Sequence, residues 1–541
     1  MWAGLVVFVT LLTAPFLPSL RVDNALEVWL DQDSAAFAEY QDFLETFGSE
    51  EFILLIYDLP QPIPQPLLEQ LTDLRYDLEE VEGVREVHCL SSLFARFFSM
   101  RGLEAFEDDL HQSPFYRHFL ISENGERAAQ WIWLDFEQPG ERAQIVAEVE
   151  RIGRASPLAG VHFAGSPILN VALDRASQES ARRLFPAVFG LSALLLWLLF
   201  RRFYGVLIPF LSVGVGILWT LALLAATGHT LNMVTVALPP LVWVLGLSTS
   251  IHLMSRCEQI RREQGPHVNA ACETLRELLR PCAYSAITTA LGFASLLVSG
   301  MEPIREMGFF ASVGVLACFA SNLLLFPWLS AWIRPRDRAA SQRLTLALEA
   351  SLNLLANWTR LHPRRILAAF FLVTLGLGWG ISRLQAEASV IEFFKPETEI
   401  SRVYHEILPG FTGGYSLEIV LEPPERTLET FVQIDRLERE IEALDGAMRV
   451  LSTADLLAKA HQVAEALPSH ADILPPDEVI FQRVREEMEA RMGREMASFE
   501  ADGTLRASVL TAAMGSNEYR QLVESLETVL DEKVDPSRVG I

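Results

Sequence analysis

The chain has 541 residues, half of them hydrophobic, and a formal net charge of -25. Apolar and acidic residues at these levels must lie in separate parts of the chain, which predicts membrane spans joined to acidic soluble domains. An acidic chain without basic runs excludes nucleic acid as a partner. Its five cysteines form no CxxC pair, so we expect no disulfide, metal site or cofactor.

Seven segments are apolar enough to cross a bilayer, since a helix needs about 20 apolar residues to traverse the hydrocarbon core. They are residues 2–19, 184–200, 204–226, 232–254, 281–300, 307–331 and 366–382. The first has the length of a signal peptide, but it has no basic leading region and no A-x-A-like cleavage site. We therefore interpret it as a span.

Arginines in the short loops predict the orientation of these spans. Arg201 and Arg202, Arg261 and Arg262, and the later arginines of residues 334–365 all fall on one side. That side is predicted to be cytoplasmic. The chain is then a multi-pass protein of the inner (plasma) membrane, with its two large acidic domains in the periplasm.

An internal repeat organises the chain. Tyr40 aligns with Tyr404 and Phe47 with Phe411 at one offset of 364 residues, which also places the first span on the seventh. Further along, residues 83–87 match residues 446–450, and the turn at 124–125 matches the turn at 502–503. Three matches in the same order indicate a duplication.

Each copy alternates strand, helix and strand, is interrupted by an insertion, and repeats the alternation. The first copy predicts these elements at 52–57, 66–80, 84–90, 128–135, 140–153 and 160–164. The second copy predicts them at 415–421, 427–443, 447–451, 505–512 and 517–532. This order is typical of a split βαβ, ferredoxin-like α+β domain.

These observations predict an α-helical polytopic membrane protein with two α+β extracytoplasmic domains. The predicted divisions are the first span (1–20), first periplasmic domain (21–182), five-span bundle (183–333), cytoplasmic amphipathic linker (334–364), seventh span (365–382) and second periplasmic domain (383–541). The second domain stops where its last strand should begin. We therefore expect five further spans after it.

Local motifs in spans four to six carry a family resemblance. Span four reads VALPPL at 236–241 and GLSTSIHLMSR at 246–256, span five reads SAITTALGFASL at 285–296, and span six reads MGFFASVGV at 307–315. With its layout of spans and domains, the chain resembles the resistance-nodulation-division (RND) superfamily, and within it the MMPL-type, hopanoid-exporter-like lipid transporters. The resemblance covers essentially the whole chain, although the outer domains match in layout only.

The resemblance implies ion-driven export of a membrane lipid or hydrophobic small molecule toward the periplasm or outer membrane. It also implies a trimer or a monomer, and a periplasmic partner. The family would have an acidic residue at Ser248, often followed by an aromatic residue where Thr249 stands. A hydroxyl does not titrate near neutral pH, so these residues cannot replace that proton relay.

Three interpretations of this departure remain. A half of the transporter beyond this sequence supplies the carboxylate, or the hydroxyls help to bind a cation such as Na⁺, or the protein is not driven by ions. We favour the first. His252, Thr288 and Thr289 are candidate supporting polar residues. Against that role, His252 lies near the end of its span, and the threonines can hydrogen-bond to their own helix.

The insertion of the first copy is rich in aromatic residues, which is typical of an apolar ligand cleft. The candidate cleft residues are Phe94, Phe97, Phe98, Phe115 and Tyr116, with Phe106 and Phe119 nearby. The alternative is that they form the core of that insertion.

Two functions fit the sequence: an exporter, and a sterol- or lipid-sensing receptor that does not transport. The sensor would account for the missing carboxylate. Enzyme activity is not expected, because no Ser/His/Asp order, metal-ligand cluster or P-loop stands out.

Overall fold

The computed structural model describes residues 2–22, 34–47, 51–98, 102–113, 116, 119–135, 141–264, 269–331, 353–381, 383, 390–411, 415–423, 425–465, 467, 473–497, 499–501, 503–511, 515–533 and 539–540. The chain forms two compact units. The membrane unit comprises Met1–Asp31 and Leu173–Ala386, and the α+β unit comprises Gln32–Ala172 and Glu387–Ile541.

The helices are numbered in chain order. They are α1 (Trp2–Thr13), α2 (Ala35–Phe47), α3 (Gln65–Glu79), α4 (Leu90–Leu93), α5 (Leu103–Gln112), α6 (Arg142–Ala155), α7 (Ser166–Phe200), α8 (Phe203–Ala226), α9 (Leu238–Gln264), α10 (Ala270–Ala294), α11 (Glu302–Ser330), α12 (Pro363–Ile381), α13 (Glu399–Arg402), α14 (Leu428–Glu442), α15 (Thr453–Ala464), α16 (Glu478–Ala497) and α17 (Ser516–Lys533).

The strands are numbered in the same way. They are β1 (Phe52–Asp58), β2 (Val84–His88), β3 (Arg127–Leu134), β4 (His162–Ala164), β5 (Tyr415–Leu421), β6 (Ala447–Ser452), β7 (Glu500–Ala501), β8 (Thr504–Thr511) and β9 (Val539–Gly540). In both copies the predicted strands and helices lie within two residues of the observed ones at each end.

Among the described residues, the six helices α7 to α12 are long and apolar enough to cross a membrane. In the segment predicted as the first span, the α-helix is shorter than the prediction, because α1 ends at Thr13 and the chain continues as a 3₁₀ helix to Ser19. Several other helices extend beyond their predicted spans, α7 and α10 by the largest margins. α7 begins at Ser166, and α10 runs from Ala270 through Pro281, so it joins a polar helix to the fifth span. Residues 332–352, most of the predicted linker, lie outside the described residues.

The helices of the membrane bundle approach each other closely at small residues. This is expected in lipid, where no hydrophobic effect drives helices together and close packing contributes instead. A Cβ added to Gly216 of α8 would lie 2.6 Å from Cys318 Cα of α11. One added to Gly246 of α9 would lie 2.9 Å from a Val213 methyl carbon and 3.0 Å from Cys318 Cβ. Three helices therefore meet around Cys318.

Gly216→Ala is expected to destabilise this bundle, because the new methyl group meets backbone atoms of α11 that cannot rotate away. Overpacking of this kind costs about 1–3 kcal/mol. The buried thiols of the membrane unit, those of Cys257, Cys282 and Cys318, should then react with a thiol-specific dye at a lower temperature than in the wild type. Gly214→Ala is the matched control on the same helix, since nothing lies within 4 Å of its Cβ position. Equal melting of the two variants would contradict the prediction.

The two copies in the α+β unit have the same sheet topology. The strand orders are β2-β3-β1-β4 and β6-β8-β5-β9, with every neighbouring pair antiparallel. This is the order of a split βαβ, ferredoxin-like sheet, because each crossover helix joins parallel strands that flank a third strand. The central strand β1 is buried along Ile53–Tyr57, and α3 covers it with a stripe of leucines. These are Leu67, Leu71, Leu74 and Leu78.

The copies exchange segments that occupy equivalent positions in the repeat. Tyr404 of the second copy is buried against the first sheet, where its hydroxyl donates to Gly165 O and accepts from Gly165 N at 3.2 Å each. Gly165 has a φ of +110°, and a Cβ there would lie 2.2 Å from Phe52 O, so only glycine fits. In return, the ring of Phe43 in α2 lies under Arg506 of the second sheet at 5.1 Å. Each copy therefore contributes a side chain that packs against the sheet of the other copy.

Candidate functional site

Most of the polar residues predicted for the ion-relay position of span four and its surroundings lie on the exposed sides of α9 and α10. Ser248 and His252 are exposed, and Val244 continues the same stripe one turn away with 55% of its surface accessible. Thr249 is half-buried. On α10, Thr288 is exposed and its hydroxyl donates to Tyr284 O of its own helix at 2.8 Å, while Thr289 is half-buried. Ser248 and Thr288 therefore do not face the interior of the described bundle.

The inward side of α9 contributes instead to a polar seam that the sequence reasoning did not identify. Asn322 of α11 is fully buried and donates to Gly246 O at 3.3 Å. Ser321 donates to Ser212 O at 2.7 Å. Within the described residues, the hydroxyls of Ser212 and Ser250 and the Oδ1 atom of Asn322 have no hydrogen-bond partner. A lone asparagine inside an apolar helix was the available signal.

A buried carboxylate also escaped the sequence reasoning, which started span six at residue 307. The helix α11 starts earlier, at Glu302, so that Glu306 lies in its second turn and its side chain is only 8% exposed. Glu306 Oε2 accepts a hydrogen bond of 2.8 Å from Asn232 Nδ2. The i,i+4 spacing of the two glutamates next to the helix start was the available signal.

A cavity of about 120 Å³ lies between the two sheets of the α+β unit. Aromatic and aliphatic side chains from both copies form most of its wall: Phe52, Leu93, Tyr116, Phe119, Trp131 and Trp133 from the first copy, and Leu451, Leu456, Phe499 and Leu510 from the second. Trp131 is central, with ring centroids 4.5 Å from Phe52 and 4.7 Å from Phe119. The wall is therefore suited to an apolar group.

The predicted cleft residues divide between this cavity and the core. Tyr116 lines the cavity. Phe94 and Phe98 instead pack around Phe106, with ring centroids 5.5 Å and 5.3 Å from it. Phe115 and the side chain of Phe97 lie outside the described residues. The tryptophans of β3 were not selected from the sequence, because their alternation along a strand gave no reason to prefer a cavity over the core.

One wall of the cavity contains a buried ion pair. Arg506 Nε lies 2.7 Å from Glu418 Oε2, and the Ser508 hydroxyl donates to the same oxygen at 2.6 Å. Burial acts to raise the pKa of Glu418. The charge of Arg506 and the hydrogen bonds from Arg506, Ser508 and Ser416 lower it by more, so the pKa is lowered overall. Glu418 therefore remains ionised at neutral pH.

A second buried ion pair joins the copies. Lys459 Nζ of α15 lies 2.8 Å from Asp109 Oδ2 of α5, and the two side chains are 4% and 2% exposed. Lys459 also donates to Ser113 Oγ at 3.0 Å and lies 4.7 Å from the centre of the Tyr116 ring. Gln462 donates to Asp109 Oδ1 at 3.1 Å. The charges are thus surrounded by partners from both copies.

These features define a polytopic membrane protein whose two duplicated α+β domains enclose an apolar cavity. Residues 33–365 match the MMPL family, and the chain belongs to that family. The family resemblance predicted from spans four to six is thereby confirmed.

Two relatives extend the comparison. The membrane protein MJ1562 of Methanocaldococcus jannaschii is 22% identical over 346 residues, which cover 60% of this chain and 88% of the relative. The multidrug resistance protein MdtC of Yersinia pseudotuberculosis is 23% identical over 324 residues, which cover 57% of this chain and 30% of MdtC. The matched stretch is thus less than a third of MdtC.

Proposed function

We propose that the chain is a transport protein that exports a hydrophobic or lipid-like molecule from the inner membrane toward the periplasm or outer membrane. The arginine-rich loops would face the cytoplasm and the α+β unit the periplasm. The observation that carries the proposal is the aromatic cavity built by both copies of the α+β unit, in a chain that belongs to the MMPL family.

The size and chemistry of the cavity support this choice. Sites for drug-sized ligands occupy about 300–1,000 Å³. A cavity of about 120 Å³ therefore takes a small apolar group, such as part of an acyl chain or a ring. A larger substrate requires the two sheets to separate, and the Lys459–Asp109 pair joins the two copies that contain these sheets. Binding would then be coupled to the relative position of the copies.

Trp131→Ala is expected to weaken the binding of an apolar fluorescent probe such as N-phenyl-1-naphthylamine by about tenfold. A buried aromatic side chain contributes about 1.5 kcal/mol or more of apolar contact, and 1.4 kcal/mol corresponds to a factor of ten. The measurement is a probe titration of the detergent-solubilised chain. Tyr76→Ala is the control, because Tyr76 is 56% exposed on α3, away from the cavity. If both variants bound the probe with equal affinity, the cavity would not be the binding site.

Transport itself is tested in proteoliposomes loaded with a labelled lipid and an external lipid acceptor. We expect export driven by an ion gradient, with the titrating carboxylate placed elsewhere than at Ser248. Dissipating the proton gradient should abolish the movement of the lipid. Movement that persists unchanged without the gradient would refute proton coupling, and no movement at all under either condition would refute export.

The second candidate is a lipid sensor that binds but does not transport. The apolar stretches 204–226, 238–254, 281–294 and 307–330 contain no acidic or basic side chain other than His252, and this favours the sensor. Probe binding that depends on Trp131, without lipid movement in proteoliposomes, would select this function over the exporter.

A further inference from the structure

One end of the membrane bundle carries three side chains that metals favour. His229 lies in the connection between α8 and α9, while Glu302 and Glu306 are one turn apart at the start of α11. One ligand atom from each residue lies within 4.8 Å of the other two. Donor atoms bound to one tetrahedral zinc ion lie about 3.4 Å apart, so the side chains must close by up to about 1.4 Å to bind it.

The hydrogen bonds of His229 determine which of its nitrogens is available. The Thr227 hydroxyl donates to carbonyls of its own helix, Leu223 O at 3.0 Å and Leu224 O at 2.9 Å. It can therefore only accept from His229 Nδ1, which lies 2.9 Å away. This arrangement places a proton on Nδ1, so the lone pair of the neutral imidazole is on Nε2.

That lone pair faces a carboxylate oxygen. His229 Nε2 lies 3.7 Å from Glu306 Oε1, so two acceptors face each other when the imidazole is neutral. The Glu306 side chain is only 8% exposed, and Glu302, which pairs with Arg305, adds a second carboxylate. A bound cation relieves this repulsion.

The surrounding residues hold both ligands in place, as outer hydrogen bonds do in metal sites. Asn232 Nδ2 holds the other oxygen of Glu306 at 2.8 Å. Asn232 is itself fixed, because its Oδ1 accepts from the backbone N–H groups of Val234 at 3.0 Å and Thr235 at 2.8 Å. Phe310 packs edge-to-face against the His229 ring at 5.3 Å. The non-ligating atoms of Glu306 and His229 are thus satisfied, while the ligating atoms converge.

We propose that His229, Glu302 and Glu306 bind a divalent metal ion of the zinc class. One imidazole nitrogen and two carboxylate oxygens suit Zn²⁺ and leave a fourth position for water. The ion would link the α8–α9 connection to the start of α11. His229 is 37% exposed, which leaves a path for the ion to enter.

The test is calorimetric titration of the detergent-solubilised full chain with Zn²⁺ after treatment with a chelator. We expect one ion per chain, and His229→Ala and Glu306→Gln should each weaken binding by at least about tenfold. Thr227→Val, which removes the acceptor for Nδ1–H, should weaken it by about tenfold. Glu273→Gln and His362→Ala are controls elsewhere in the membrane unit and should leave the affinity unchanged.

Glu306→Gln separates metal binding from folding, because the glutamine oxygen still accepts from Asn232. Absorption bands of Co²⁺ in the visible region should report a site of low coordination number in the wild type and vanish in this variant. Zn²⁺ binding that is absent, or that is unaltered by both His229→Ala and Glu306→Gln, would overturn the proposal. The carboxylates would then only favour the start of a helix.

Discussion

Replacing Asp109 with leucine is expected to lower the free energy of unfolding of the α+β unit by about 3–5 kcal/mol. The substitution leaves the ammonium group of Lys459 buried without its counterion, at 4% exposure. The Ser113 hydroxyl and the face of the Tyr116 ring remain near it, but neither carries a compensating charge. Hydrogen exchange of β1 and β3 in the intact chain should report the loss, because these strands form the centre of the first sheet.

A double variant distinguishes the effect of a buried charge from the effect of a lost contact. Asp109→Leu combined with Lys459→Met removes both charges and keeps similar volumes, so most of the stability should return. Glu148→Gln removes one partner of an exposed pair, with Arg151 65% and Glu148 45% accessible, and should leave exchange unchanged. If the double variant were no more stable than Asp109→Leu, charge burial would not be the cause.

Replacing Arg506 with methionine is expected to destabilise the second sheet by a comparable amount, about 3–5 kcal/mol, at neutral pH. The guanidinium is 5% exposed and its Nε atom lies 2.7 Å from the Glu418 carboxylate, which is 11% exposed. Methionine fills much of the space but leaves the carboxylate in the apolar cavity wall. The cost therefore arises from an unpaired charge.

The pH dependence gives this variant a distinctive signature. In the wild type the pKa of Glu418 is lowered, so the stability it contributes is present above its unfolded value of about 4.3 and is lost as the pH falls through the lower folded value. Without Arg506, burial raises the pKa, so the penalty is present at neutral pH and is relieved as the pH falls toward about 4.3.

Unfolding of the wild type and of Arg506→Met, followed between about pH 7 and pH 4, tests this reversal. The stability difference between them should shrink as the pH falls. A constant difference would mean that the arginine acts through packing alone, and a growing difference would contradict the assignment of Glu418 as the affected group. Glu418→Gln in the Arg506→Met background should restore stability at neutral pH, because the amide carries no charge.

The sequence predicted the secondary structure of the α+β unit well because its signals are local. The leucines of α3 recur at helical spacing, and β1 is a short apolar run bounded by turns. The internal repeat then gave each element a second prediction, from the matching element of the other copy. Span boundaries were less accurate, because hydropathy marks the apolar stretch and not the helix. This is why α7 and α11 begin earlier than expected.

The candidate sites depended on contacts between residues that lie far apart in the sequence. Asn232 and Glu306 are 74 positions apart, and Lys459 and Ser113 are 346 apart. No periodic pattern links such residues. The aromatic cluster shows the same limit, because Phe98 and Tyr116 are both aromatic, yet one packs in the core and the other lines the cavity.

The exchange of segments between the two copies affects how the protein is made. Gly165 meets Tyr404 only after the ribosome has added 239 more residues. At about 5–20 residues per second, roughly 10–50 s pass between the synthesis of the two partners. Throughout that interval, while α7 to α12 are being synthesised, the first sheet lacks part of its cover. Its apolar surface is therefore open to aggregation and to holding chaperones until the nascent chain delivers the missing segment.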